Sequence, residues 1–255
     1  KLLKMWLQAL CWLRPLLLLF VAELFFFLNS VNYCKMKLLS KFDQLLWRLL
    51  TFVGILIVAR ILYSGSITSL FLVWNIFLAW IPYVLSRFFM AYRQKQKWKQ
   101  FVLLGTWLLF FPNALYIVTD LVHIDRESMV PWWFDAVLLF LASFIGIVLG
   151  FVSLRKAERY LLSYFSQKIV SVQITLLLFL GSFGVYLGRF ERWNSWDVVH
   201  NPLGLSVNIM ECILFPVENY RVWGITLLFT LTFYVLYFFM SNLPKAISEM
   251  NNTGR

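Results

Sequence analysis

From residue 45 onward the chain is a succession of apolar runs separated by short polar connections, at roughly 45–63, 67–86, 101–118, 132–154, 169–188 and 222–240. Each is close to the ~20 residues that carry a helix across ~30 Å of hydrocarbon. The pattern predicts an all-α fold: a polytopic transmembrane helical bundle of six core spans, over residues 36–255, with an N-terminal apolar segment at 1–35 and an outer interfacial helix. The N-terminal segment is the least regular part. Trp6 to Leu28 is apolar enough to span, yet it carries Arg14, Pro15 and Glu23, and an ionised group at mid-bilayer costs about 2.5–3.5 kcal/mol. It has no small-residue cleavage site, and its apolar run is long for a signal peptide. Because Met36-Lys37-Leu38-Leu39-Ser40 has the form of a natural start, the core is expected to begin near Met36. Residues 1–35 are then an extension, either an interfacial helix or an additional span.

The connections alternate in charge. Lys35, Lys37, Lys41 and Arg48 flank the first run, and the turn Ser64-Gly65-Ser66 after it has no charge. Arg87, Arg93, Lys95, Lys97 and Lys99 come next, then Asp120, Asp125 and Glu127. Arg155, Lys156, Arg159 and Lys168 precede the fifth run, and Glu191, Asp197, Glu211 and Glu218 follow it. Cytoplasmic loops collect Lys and Arg, so the expectation is a multi-pass cell-membrane protein with both core termini cytoplasmic. Within the long loop at about 189–221, Ser195 is expected to cap a short helix through Asp197, and Asn201-Pro202 to open a second one. Leu203, Val207, Met210 and Leu214 fall at three- and four-residue steps, as in a helix lying in the membrane interface, ended by Pro216.

Composition sharpens this picture: 61% hydrophobic, 19% aromatic, 14% charged, with a mean hydropathy of +0.76. No room remains for a soluble domain, so any chemistry belongs in or at the membrane. The net charge of +11 lies in short loops between apolar runs, where it orients the chain; nucleic acid is not an expected partner, and membrane lipids are. Cys11, Cys34 and Cys212 have neither zinc-ribbon nor disulfide-framework spacing.

Four stretches in order, Trp74-Asn75-Ile76-Phe77-Leu78-Ala79-Trp80-Ile81-Pro82, Phe111-Pro112-Asn113, Pro131-Trp132-Trp133-Phe134-Asp135 and Tyr186 to Asp197, carry a resemblance. The chain resembles the bacterial polytopic membrane proteins grouped as DUF 1361, a domain of unknown function. That resemblance covers most of the six-span core, and it implies a fold without implying an activity.

The residues with chemistry gather toward the outer ends of the spans. Arg60, Asn75 and Asn113 sit one to three turns inside, where each must find a partner in the bundle, and Arg60, Asp120, Asp135, Arg189, Arg192 and Asp197 are expected to form a connected polar network. Pro112 removes a backbone hydrogen bond near Leu108 and is expected to break the third span beside Asn113. Such a group is either a polar site or the glue that fixes helix packing. Asp120 and His123, at i and i+3, are the candidate acid–base pair, and Asp197 with His200 repeats the spacing. Two histidines in interfacial loops are more often solvated, so neither a metal nor a cofactor is expected. Asn75, Asn113, Asp135, Arg189, Arg192 and Asp197 are the candidate binding residues. Arg189, Arg192 and Arg221, bordered by Trp132, Trp133, Trp193 and Trp196, either hold an anionic lipid or lipid-linked headgroup or pair with Asp135 or Asp197. Three functions stay open: a lipid-handling protein, enzymatic or not; a non-catalytic membrane partner or assembly factor; and a small-solute transporter. No nucleophile elbow, P-loop or H-E-x-x-H is present.

Overall fold

A computed structural model of the protein describes residues 40–92, 97–123 and 130–253, with Tyr92, His123, Asn252 and Thr253 described in their backbone alone. The extension at 1–35, together with Asp125 and Glu127, lies outside them. The chain forms two compact units, Lys1–Arg48 and Leu49–Arg255. In the first, the start of helix α1 (Lys41–Ser64) is closed by a reciprocal cap. Ser40 donates to Asp43 Oδ2 from Oγ at 2.7 Å and from its N–H at 3.1 Å, while the Asp43 N–H donates back to Ser40 Oγ at 3.2 Å. A carboxylate three residues into a helix thus satisfies a backbone N–H and suits the positive end of the dipole.

The second unit carries the bundle. α1 stops at Gly65, whose φ of +64° lies in the left-handed region and whose N–H returns to Ile61 O at 2.8 Å. A residue without Cβ takes this turn at no steric cost. Then come α2 (Leu70–Ser86), the short α3 (Phe89–Tyr92), α4 (Lys97–Tyr116) with a 3-10 continuation over Ile117–His123, α5 (Trp132–Leu161) and α6 (Gln167–Arg189). A single-turn α7 (Asp197–His200), α8 (Pro202–Leu214) and α9 (Tyr220–Thr253) complete the chain. Among the described residues, six helices are long and apolar enough to cross a membrane: Lys41–Ser64, Leu70–Ala91, Lys97–Val122, Trp132–Leu161, Gln167–Arg189 and Tyr220–Asn251. They fall on the six apolar runs but extend into the polar flanks, because a helix continues past the hydrocarbon edge as long as its backbone partners do. α5, at 30 residues, is about 45 Å long, and its last turns carry Arg155, Lys156, Glu158 and Arg159.

Pro112 does not break the third span as expected. α4 runs through it to Tyr116 and only then tightens into the 3-10 segment. A proline forfeits its own N–H, but the helix survives where neighbours cover the ring. The neighbour here is Gly184 of α6, where a Cβ would stand 2.6 Å from Pro112 Cγ. Gly181 faces Phe111 in the same way, at 2.8 Å. On the opposite side a Cβ on Gly146 of α5 would stand 2.5 Å from the Ala114 carbonyl oxygen, and one on Gly150 would stand 3.3 Å from Ala114 Cβ. The end of α4 is thus held between two glycine-bearing faces, and Phe111, Ala114, Leu115 and Ile117 are all 0% exposed. Membrane helices lack a hydrophobic drive toward one another and gain by such close approach. Toward the other end, Phe89, Trp107, Tyr160 and Tyr237 pack in one apolar core, pinned by Trp107 Nε1 to Ser153 Oγ at 3.3 Å and Tyr160 OH to Gln100 Oε1 at 2.7 Å.

Gly146→Ala is expected to lower thermal stability by about 1–3 kcal/mol, since its Cβ meets backbone that cannot rotate away. Gly105→Ala, with nothing within 4 Å, is expected to be neutral or slightly stabilising through helix propensity. Unfolding of the detergent-solubilised variants, followed by intrinsic fluorescence, measures the contrast.

Candidate functional site

Two polar clamps stand at one end of the bundle, where α1, α4 and α6 finish and α2, α5 and α9 begin. Asp135, in the first turn of α5, receives the Arg60 guanidinium of α1 as a parallel fork: Nε to Oδ1 at 2.6 Å and Nη2 to Oδ2 at 2.9 Å. Arg60 Nη1 reaches Thr68 Oγ1 at 3.5 Å. The two side chains are 14% and 9% exposed, so this is a nearly dry pair whose bidentate geometry offsets much of the desolvation.

The second clamp forms around Asp120, which the 3-10 segment places in the interior at 2% exposure. Asn75 Nδ2 of α2 donates to Asp120 Oδ2 at 2.7 Å, and Arg189 Nη1 of α6 donates to Oδ1 at 3.2 Å. Arg189 also donates to the Thr119 carbonyl at 2.8 Å and to Tyr116 OH at 3.3 Å. One carboxylate therefore ties α2, α4 and α6 together, each member supplied from a different helix.

Beyond Arg189 the chain turns back through Arg192, whose φ of 61° makes it the one non-glycine left-handed residue among those described. Trp193 N–H donates to Leu187 O at 3.1 Å. Ser195 reaches α4, where its Oγ donates to Leu109 O at 3.1 Å and accepts from Asn113 Nδ2 at 2.8 Å. Its expected role as a helix cap is thereby corrected: no side chain caps α7, and the Ser195 hydroxyl instead serves a carbonyl in the turn that Pro112 disturbs. Trp196 lies edge-on to Trp74 of α2, with centroids 6.4 Å apart. Asp197 is spent locally, accepting from the Asn194 N–H at 2.7 Å. Asn201 caps α8 by accepting from Gly204 N–H at 3.1 Å, with Pro202 in the first turn.

α8 lies against the ends of α6 and α9. Cys212 joins Tyr186, Leu187 and Val222 in a buried cluster packed by Trp193, Leu205 and Ile209. Burial pushes the Cys212 thiol up, and the negative charges of Glu191 and Glu211 push it further. The other face of α8 is apolar and open, with Leu203 80% exposed and Val207, Met210 and Leu214 also exposed.

The expected single network is therefore two separate clamps. Asn75, Asp120 and Arg189 come together, Asp135 pairs with Arg60, Asn113 holds Ser195, and Asp197 belongs to a turn. Arg192 and His200 are exposed, and the side chain of His123 lies outside the description. Among the described residues, no three His, Cys, Asp or Glu side chains gather as metal ligands. Thr68, Tyr116, Thr119 and Trp74 were not legible as participants, because hydroxyls, carbonyls and indoles carry no periodic signal of their own.

Six apolar spans held by buried polar clamps make this an integral membrane protein of the polytopic α-helical class. The chain belongs to the DUF1361 family, described as a protein of unknown function, whose sequence profile matches residues 74–236. No curated protein and no solved structure matches the chain.

Asp120→Ala leaves the Arg189 guanidinium without its carboxylate at a buried position, and is expected to cost about 3–5 kcal/mol. Replacing the other pair together, Arg60→Met with Asp135→Leu, is expected to cost less than Asp135→Ala alone, since no charge is then stranded. Thermal unfolding in detergent reads both.

Proposed function

We propose that the protein binds the anionic headgroup of a lipid or lipid-linked molecule at the end of the bundle carrying the acidic loops, which loop charge assigns to the extracytoplasmic side. The observation that carries this reading is the contrast among the arginines there. Arg60 and Arg189 are consumed by Asp135 and Asp120, whereas Arg192 is exposed and exposed Arg221 contacts the Tyr220 hydroxyl, at 3.3 Å. Their sequence neighbours Trp193 and Val222 share one packed cluster, which anchors both arginine-bearing segments to it. Arg presents a planar fork to phosphate oxygens and keeps its charge at every accessible pH. Trp132 and Trp133, 56% and 57% exposed, suit the headgroup level of a bilayer. Binding is favoured over acid–base chemistry because the Asp120 carboxylate is already engaged by Asn75 and Arg189.

A non-catalytic partner role is the second reading, and the open apolar stripe of α8 favours it. It requires a membrane protein that co-purifies in stoichiometric amount and is lost with Leu203→Ser and Val207→Ser together.

For the headgroup reading, Arg192→Ala and Arg221→Ala are each expected to weaken binding of short-chain phosphatidylglycerol about tenfold, with phosphatidylcholine as the reference. The loss is expected to shrink at high salt, as it does for exposed charges. Fluorescence titration in detergent measures it; equal affinity of both variants and wild type removes the proposal. Arg192→Gly is expected to match Arg192→Ala in binding while gaining about 1 kcal/mol in stability from relief of the left-handed backbone.

A further inference from the structure

We propose that Trp193–Asp197 is a strap over a headgroup site between α2, α4 and α6, and that the Trp74 indole N–H is the donor this site presents to a phosphate oxygen. The inference rests on the headgroup reading above and adds to it the depth of the site, its donor and its cover.

Trp74 Nε1 is buried without a hydrogen-bond partner. An indole N–H is a donor with no other role, and such a group normally finds an acceptor when it leaves water. Among the described residues no protein oxygen accepts from it, so the acceptor assigned to it is a ligand oxygen. The strap lies against this donor, with Trp196 edge-on to the Trp74 ring. Its attachment to α4 is light. Ser195 donates to the Leu109 carbonyl and accepts from the Asn113 amide, two neutral bonds of the kind that contribute little net stability. At the head of the strap, left-handed Arg192 stores strain that favours a change of backbone. Lifting the strap breaks the bond between the Asn113 amide and Ser195, while Asn113 Nδ2 keeps its bond to the Phe110 carbonyl at 3.3 Å. Arg192 moves with the strap, so the exposed cation that meets the phosphate at the rim is tied to the movement that admits it.

Trp74→Phe keeps the ring and deletes the donor. Short-chain phosphatidylglycerol and glycerol phosphate are titrated into the detergent-solubilised protein, separating a whole lipid from its headgroup chemistry alone. The expected result is at least a tenfold loss of affinity in Trp74→Phe for whichever probe wild type binds, with an unfolding temperature equal to or above that of wild type. A second variant, Asn113→Cys with Ser195→Cys in a Cys11→Ser, Cys34→Ser background, is expected to lose binding when oxidised and regain it on reduction. Binding unchanged in Trp74→Phe, yet lost in Arg192→Ala, overturns the strap and leaves the headgroup reading standing. Unchanged binding by the oxidised pair overturns the strap in the same way. Absence of wild-type binding to both probes overturns both. Should the cysteine pair fail to fold, Trp74→Phe decides alone.

Discussion

The close approach of α4 to its neighbours is the constraint from which the other arrangements follow. In hydrocarbon, a helix gains nothing by hiding apolar side chains from lipid, so packing depends on how near two backbones can come. Gly146 and Gly150 on one side, and Gly181 and Gly184 on the other, admit Phe111 to Ile117 closely: an added Cβ would force a shift at Gly146, Gly181 and Gly184 and crowd its neighbours at Gly150. That depth brings Asp120, a few residues further on, among α2 and α6 and away from water. The charge must then be met within the bundle, and Asn75 and Arg189 meet it.

The same approach explains why Pro112 is tolerated. Its ring occupies the space over Gly184, and the disturbed turn beside it is served by Ser195, a residue 86 positions from Leu109. The turn before the proline thus carries the attachment point of the segment after α6. The clamps and the strap differ in kind. The two carboxylate–arginine pairs are buried and charged and fix where the helices stand, whereas the strap is held by neutral bonds and begins at a strained residue. The residues that fix the helices are therefore different from those that tether the segment after α6, at the same end of the molecule.

How far the site was legible depended on the range of each interaction. Asp120, Asp135, Asn75, Asn113 and Arg189 stood out because a charged or amide side chain within an apolar run must find a partner. Which partner it finds is another matter. Arg60 lies 75 residues from Asp135, and Arg189 lies 69 from Asp120; a chain of several arginines and aspartates allows many pairings, and nothing local chooses among them. Ser before Asp is a local signal for a cap at Ser195, and a contact across the bundle prevails over it. Nothing local marks Trp74 as a donor, since a tryptophan near a span end is ordinarily part of the interfacial belt.

By itself the sequence determined the six core spans, their positions along the chain and the charge of the connections between them, because desolvating a backbone in lipid leaves a helix of about twenty apolar residues as the available solution. It also determined the cap and proline that open α8, as these act within four residues. Tertiary structure alone decided that the polar residues divide into two clamps, that the helix continues through Pro112, and that the segment after α6 folds back onto α4. Those outcomes depend on distances between helices, which small residues at four glycine positions set, and such distances have no expression in the order of residues along one helix.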